Sequence, residues 1–335
     1  MEFCWNLNGE DYADIVDQTK KADGNQFDAA LIVSLQQAMD PWILATRLAD
    51  STNRLRFLVA QNTNSAYPAY TAKSVNTLNA IAGNRIDLNI VTGSSHLELS
   101  KEGNIDAHHD RYRRTEEFAR ILGQAGDESI THEGEFYRLR QYRVRPQAPP
   151  PRLFVAGSSP EAVAIAARHA DFSIVYASDF ESTGSVFAEA KRQAERFGRA
   201  IRCGLLIDVI ARPTAEAAWH AAESLGARFS RTDKKMKSLL LKHVDSVGIA
   251  EHRRLLAYSN YRVDRHLWSG IAQVSTAHGL SIVGSYRDVI DTIRRYHELG
   301  ADYFLLSGMA GDREIERIGQ YVLPVLKTTD QEVTL

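Results

Sequence analysis

Gly157-Ser158-Ser159 stands between an apolar run and a helix-forming one. A glycine turn lets a ligand come close to the backbone. The first turn of the helix that follows presents unpaired N–H groups and a partial positive charge, and serine hydroxyls add donors. That combination suits a single phosphate group; for Ser159 the alternative is a plain helix N-cap. Asn89 and Thr92, at the end of the run IDLNIVT, can hydrogen-bond the edge of a heterocycle or simply satisfy a strand end. Tyr112, in HHDRYRRTEEF, can reach a phosphate or pack as a half-buried aromatic. Asp208 is an acid in the otherwise apolar stretch CGLLIDVIA, where burial raises a carboxyl pKa and suits it to proton transfer or to holding a cation. The alternative is a structural pair with an arginine. His266 is the next proton-handling candidate, with His96 and His109 behind it.

Other chemistries lack their motifs. Neither GxGxxG nor GxxxxGK[ST] occurs, so a mononucleotide phosphate fits better than a dinucleotide or a P-loop nucleotide. The two cysteines, Cys4 and Cys203, form no metal-ligand spacing and read as reduced thiols. No compact His/Asp/Glu set supports a metal-dependent hydrolase. The formal charge of −2 points to neither nucleic acid nor an acidic membrane. The cluster Arg111, Arg113 and Arg114 reads as a solvated face. The N-terminus has no basic-then-apolar leader and no apolar run approaches a membrane span, which predicts a soluble, cytoplasmic protein.

These residues need a frame. Short apolar runs at 3–7, 28–34, 56–61, 86–91, 153–156, 172–176, 203–211 and 303–306 alternate with amphipathic stretches. Strands buried on both faces and separated by helices form parallel sheets, and eight such units favour closure. The fold predicted is α/β, a (β/α)₈ TIM barrel in one domain over 1–335, with the site on the loops after the strands. Asp40-Pro41, Tyr67-Pro68 and Ser159-Pro160 open helices, Thr214 caps another, and Gly83 ends one. Residues 129–145 read as a hairpin turning near Glu133-Gly134. An insertion at about 226–275, between the seventh and eighth strands, reads as a lid.

The order of short motifs carries a resemblance. Val91-Thr92-Gly93, Arg111-Tyr112 ahead of Glu116-Glu117-Phe118, Gly157-Ser158-Ser159, Leu267-Trp268-Ser269-Gly270, Ile282-Val283-Gly284 and Phe304-Leu305-Leu306-Ser307-Gly308 occur in sequence. Together they resemble the bacterial luciferase-like flavin monooxygenases, and within them the alkanesulfonate monooxygenase branch. The resemblance implies reduced FMN supplied by a partner flavin reductase, O2 as co-substrate, a flavin peroxide as oxidant, and a homodimer or homotetramer. It implies that Asn89, Val91 and Thr92 line the flavin ring. Tyr112, Ser158 and Ser159 then hold its phosphate, Gly157 permits close approach, and Tyr176 packs on the ring.

The chain departs from that branch in its substrate pocket. Leu206 and Asp208 stand where an Arg and a His are expected, and Ala38, Ser275 and Met309 replace three further polar groups. Two unit charges about 4 Å apart interact by roughly 4 kcal/mol at an effective dielectric of 20. Repulsion of that size argues against a sulfonate and for a neutral or cationic small organic substrate, such as an amine. Competing expectations are hydride transfer with the deazaflavin F420 on the same barrel, and a flavin-binding protein without catalysis.

Overall fold

The runs of sequence that are apolar at every position become the strands of the barrel. Phe57-Leu58-Val59-Ala60 is buried throughout, as are Ile86 to Ile90 and Phe304 to Ser307, because helices cover the outside and side chains fill the inside. The structure is a computed structural model that describes residues 1–9, 11–93, 96–230, 232, 235, 246–273, 275, 278–311 and 313–332.

The strands in chain order are β1 (Glu2–Asn6), β2 (Ala29–Ile32), β3 (Arg56–Asn62), β4 (Ile86–Val91), β5 (Ile130–Glu133), β6 (Arg138–Tyr142), β7 (Leu153–Ala156), β8 (Phe172–Tyr176), β9 (Arg202–Arg212), β10 (Arg262–Asp264), β11 (Leu267–Trp268), β12 (Ser281–Ser285) and β13 (Ala301–Ser307). Eight of them pair in parallel in the order β1-β2-β3-β4-β7-β8-β9-β13, and β13 returns to β1. This is the (β/α)₈ barrel expected, and all eight apolar runs supply its strands.

The helices α1 (Tyr12–Gly24), α2 (Pro41–Ala49), α3 (Pro68–Ile81), α4 (His96–Lys101), α5 (His108–Leu122), α6 (Pro160–His169), α7 (Phe180–Arg196), α8 (Ala215–Ala227), α9 (Val247–Leu255), α10 (Tyr286–Glu298), α11 (Glu314–Tyr321) and α12 (Leu323–Glu332) follow or join the strands. The start signals work by capping. Asp40 accepts the N–H groups of Trp42 and Ile43 at 2.9 Å ahead of Pro41, and Thr214 accepts that of Ala217 at 3.3 Å. Gly83, at a φ of +65°, sits in the turn that ends α3.

Two excursions leave the barrel. The hairpin β5–β6 turns over residues 134–137, and the Glu117 carboxylate accepts the N–H groups of Glu135, Phe136 and Tyr137 at 2.8, 3.1 and 3.2 Å. The second lies between the seventh and eighth barrel strands. Among its described residues it carries α9, the antiparallel pair β10–β11, and β12. β12 was not foreseen: its register, Ser281 beside Asp208 to Ser285 beside Arg212, extends the sheet along the upper half of β9. Much of 231–245, part of the expected lid, lies outside the described residues.

At the end where the strands begin, a charge network closes the barrel. The fully buried Asp87 accepts from Arg56 at 2.6 Å and from Arg152 at 2.8 Å, while Glu2 pairs with Arg152 at 2.7 Å and Arg202 at 2.6 Å. Phe154 and Phe172 stack at 4.1 Å above it.

Candidate active site

The strands end around a cavity of about 250 Å³. Seven residues named from the sequence line it: Asn89, Val91, Thr92, Tyr112, Gly157, Ser158 and Tyr176. Asn89 comes from β4, where its register neighbours are Ala60 of β3 and Phe154 of β7. Its amide is 6 % exposed, and its Oδ1 is buried with no partner among the described residues. An unpaired buried acceptor costs about 1–3 kcal/mol, so this oxygen favours a ligand that brings a donor. Thr92 is partly engaged: its hydroxyl lies 3.2 Å from that of Thr115, which also meets Thr63 at 2.9 Å.

The turn after β7 has the conformation its residues imply. Gly157 has φ +141°, and a Cβ there would stand 2.8 Å from the Ala162 Cβ, so a side chain cannot be added without displacing α6. Ser158 faces the cavity at the N-terminus of α6 and also reaches an outer groove between α6 and α7. Ser159 does not line the cavity. It caps α6 by accepting the Ala162 N–H at 3.2 Å and donates to the Tyr112 hydroxyl at 3.1 Å. It therefore positions Tyr112, whose ring lies 5.0 Å from that of His108.

Tyr176 forms another wall. α9 presses on it, since a Cβ on Gly248 would come 2.8 Å from its ring, and His252 meets the ring edge-on at 4.9 Å. Burial raises the Tyr176 phenol pKa. α9 is held there by Glu251, which accepts from Ser178, and by Arg254, which pairs with Asp179 and Glu251.

The two expected proton-handling residues do not line the cavity. Asp208 is fully buried and accepts from Ser281 at 2.8 Å, Ser307 at 3.2 Å and the Met309 N–H at 2.8 Å. It has donors of this kind in place of the arginine that a structural pair would need. Burial pushes its carboxyl up to about 7 against those donors. His266, in the turn between β10 and β11, lies against the first turn of α10, with Nε2 3.5 Å from Asp288 and Nδ1 3.3 Å from the Val283 carbonyl. His109 is exposed beside Asp110, and the His96 side chain lies outside the described residues.

The sequence reading also missed residues. Asn6 and His108 line the cavity. Arg111, expected on a solvated face, is buried: it donates to the Gly93 carbonyl at 3.2 Å and lies 3.2 Å from the His108 Nδ1. Among the described residues no group of three or more metal-ligating side chains occurs, and no helix is long and apolar enough to cross a membrane.

The chain belongs to the luciferase-like monooxygenase family, which it matches over residues 2–303, and is accordingly an oxidoreductase. Solved structures share the fold at low identity. The EDTA monooxygenase of Chelativorans sp. BNC1 is 18 % identical, with TM-score 0.76 over 98 % of this chain and 94 % of that one. The oxygenating constituent of 3,6-diketocamphane monooxygenase from Pseudomonas putida, in complex with FMN, is 16 % identical, with TM-score 0.72 over 97 % and 98 %. The coenzyme F420-dependent tetrahydromethanopterin reductase of Methanopyrus kandleri is 18 % identical, with TM-score 0.70 over 97 % and 99 %. The alkanesulfonate branch is not singled out among these structures.

Proposed function

We propose that the protein is a reduced-FMN-dependent monooxygenase that oxygenates a small organic molecule with O2, its flavin supplied by a separate reductase. The observation that carries this reading is one cavity with a buried, unpartnered amide oxygen on β4 and a glycine-serine turn at the start of α6. The first suits the N–H edge of a flavin ring; the second suits the phosphate of its ribityl tail.

Reduced flavin, when bound, supplies the two electrons by which one atom of O2 enters the substrate and the other leaves as water. The chain's residues do the rest. Asn89 would orient the ring, Val91 and Thr92 would border it, and Tyr176 would pack against it. Ser158 and Tyr112 would hold the phosphate, with Ser159 fixing Tyr112 and Gly157 keeping the approach open. α9 over Tyr176 would limit water entry. Asp208 and His266 are withdrawn as catalytic candidates on their placement; Asp208 instead ties β12, β13 and the Met309 turn to β9.

The test is calorimetric titration with oxidised and reduced FMN, followed by oxygen uptake with a flavin reductase and a panel of organic substrates. Absence of affinity for both redox forms would end the proposal. The F420-dependent relatives supply a second reading, which predicts turnover of reduced F420 with no oxygen consumed. A homodimer or homotetramer is proposed from the family likeness, and light scattering reads it directly.

A further inference from the structure

Across the cavity from the phosphate turn lies a second amide whose oxygen has no partner among the described residues. β1 is diametrically opposite β7 in the ring: β2, β3 and β4 separate them one way, and β13, β9 and β8 the other. Asn6 closes β1, is 4 % exposed, lines the cavity, and its Oδ1 is buried with no partner among the described residues.

The other end of this amide is turned toward His278. The Asn6 Nδ2 donates to the His278 Nε2 at 3.4 Å. In that arrangement His278 accepts at Nε2, which places its proton on Nδ1, 2.8 Å from the Ser275 hydroxyl. Ser275 is fixed in turn by accepting the His278 N–H at 3.1 Å. With its amide nitrogen turned toward His278, Asn6 leaves its oxygen as the amide atom without a partner among the described residues. The wall around it is largely apolar, with Leu31, Val33, Leu206 and Leu305, and Ser34 and Gln36 add uncharged polar groups beyond β2. Among the described residues no Lys or Arg lines the cavity, and its ionisable Glu102 and His108 belong to the α4–α5 side.

We infer that this wall is the substrate subsite, that it takes an uncharged, largely apolar molecule carrying one hydroxyl or N–H donor, and that the Asn6 oxygen receives that donor while His278 positions it. The assignment rests on the flavin reading only in leaving the β4–β7 side to the cofactor. It narrows the neutral-or-cationic expectation to neutral, because the one acid that suggested a cation, Asp208, is sealed off by Ser281, Ser307 and Met309. A site built to pair with a donor rejects an isostere that lacks it far more strongly than it rejects a change in chain length.

The test uses the flavin-free full chain and four probes: 1-octanol, methyl heptyl ether, 1-octanesulfonate and octylammonium. Dissociation constants are read by ligand-observed NMR. The alcohol should bind at least about tenfold tighter than the ether, with both ions weaker than the alcohol. Asn6→Leu should bring the alcohol-to-ether ratio to within about twofold of unity. His278→Phe should lower the ratio, and His278→Gln, whose amide oxygen can accept from Asn6, should restore it. A wild-type ratio near one, a sulfonate that binds as tightly as the alcohol, or a ratio that survives Asn6→Leu overturns the subsite; the wild-type values decide even if a variant does not fold. FMN calorimetry on the same samples separates the two readings. No FMN affinity with the ratio intact refutes the flavin assignment alone, and FMN binding with a ratio near one refutes the subsite alone.

Discussion

The two ends of the barrel treat polar groups in opposite ways. Where the strands begin, the acids and bases satisfy one another: Asp87 has two arginine partners and Glu2 has two. Where they end, two buried amide oxygens, on Asn6 and Asn89, belong to the lining of one cavity and have no partner among the described residues. Both ends are made by the same eight strands, so the contrast does not come from topology. It comes from the residues each end presents: a charge network where the strands begin, and, around the cavity, asparagine, glycine, serine and tyrosine, with the Arg212–Glu314 pair lying outside the cavity lining. The closed end stabilises the barrel, and the open end holds acceptors that the chain leaves for a ligand or water to complete.

Breaking the closed end should have the largest effect. Asp87→Ala leaves Arg56 and Arg152 without their shared carboxylate. Those arginines are 31 % and 28 % exposed and regain water, so the loss should be about 2–3 kcal/mol rather than the 3–5 of a fully buried pair. Urea unfolding measures it, and FMN affinity should hardly change. An Asp87→Ala protein as stable as the wild type would remove the distinction between the ends. Gly157→Ala tests the open end. With φ at +141° and Ala162 2.8 Å from the new Cβ, it should cost about 1–3 kcal/mol of stability. It should also weaken FMN by tenfold or more, which a purely structural glycine would not do.

The sequence exposed these two ends unequally. All eight barrel strands were legible because burial on both faces writes an unbroken apolar run. β12 was not, since SIVGS holds only two large apolar residues and lies outside the closed ring, between β11 and the upper half of β9. At the site, the glycine and serines after β7 and the asparagine in β4 interrupt apolar runs and stand out. Asn6 interrupts one too, in FCWN, but its meaning depends on His278, 272 residues away, and no local pattern announces that contact. Arg111 was misplaced because three arginines close together read as a solvated face. Helical geometry turns one of them inward beneath Gly93. Asp208 was read correctly as a buried acid, but which side of the barrel rim would cover it was set by β12 and Met309, neither of them visible in the neighbouring residues.

That acid yields a pH prediction of intermediate size. Its carboxyl titrates at about 7 when folded and near the ordinary 3.8 when unfolded. The folded state then holds a proton that the unfolded state has released, and stability falls as pH rises from about 4 through 7. The wild type should lose about 1–2 kcal/mol between pH 5 and 8, after discounting for relaxation around the buried group. Asp208→Asn, which keeps an oxygen to accept from Met309 and Ser307 and turns its amide nitrogen to the Ser281 hydroxyl, should lose much less. Parallel pH profiles for the two proteins would show that the carboxylate is not strained by its burial.

The smallest effect belongs to the strap that joins the two kinds of surface. Arg254 ties α9 to Asp179 at the start of α7, yet it is 45 % exposed, and an exposed ion pair contributes under about 1 kcal/mol. Arg254→Ala should therefore leave the urea midpoint almost unchanged. α9 nevertheless bears on Tyr176 through Gly248 and His252, so a looser α9 should open the cavity wall and release FMN faster, by about three- to tenfold, a change of up to about 1.4 kcal/mol in the barrier to dissociation. Stopped-flow displacement measures that rate. A faster release with unchanged stability would show that the open end can be altered without touching the closed one. An unchanged rate would mean that Tyr176 is held by the barrel itself, with α9 only resting on it.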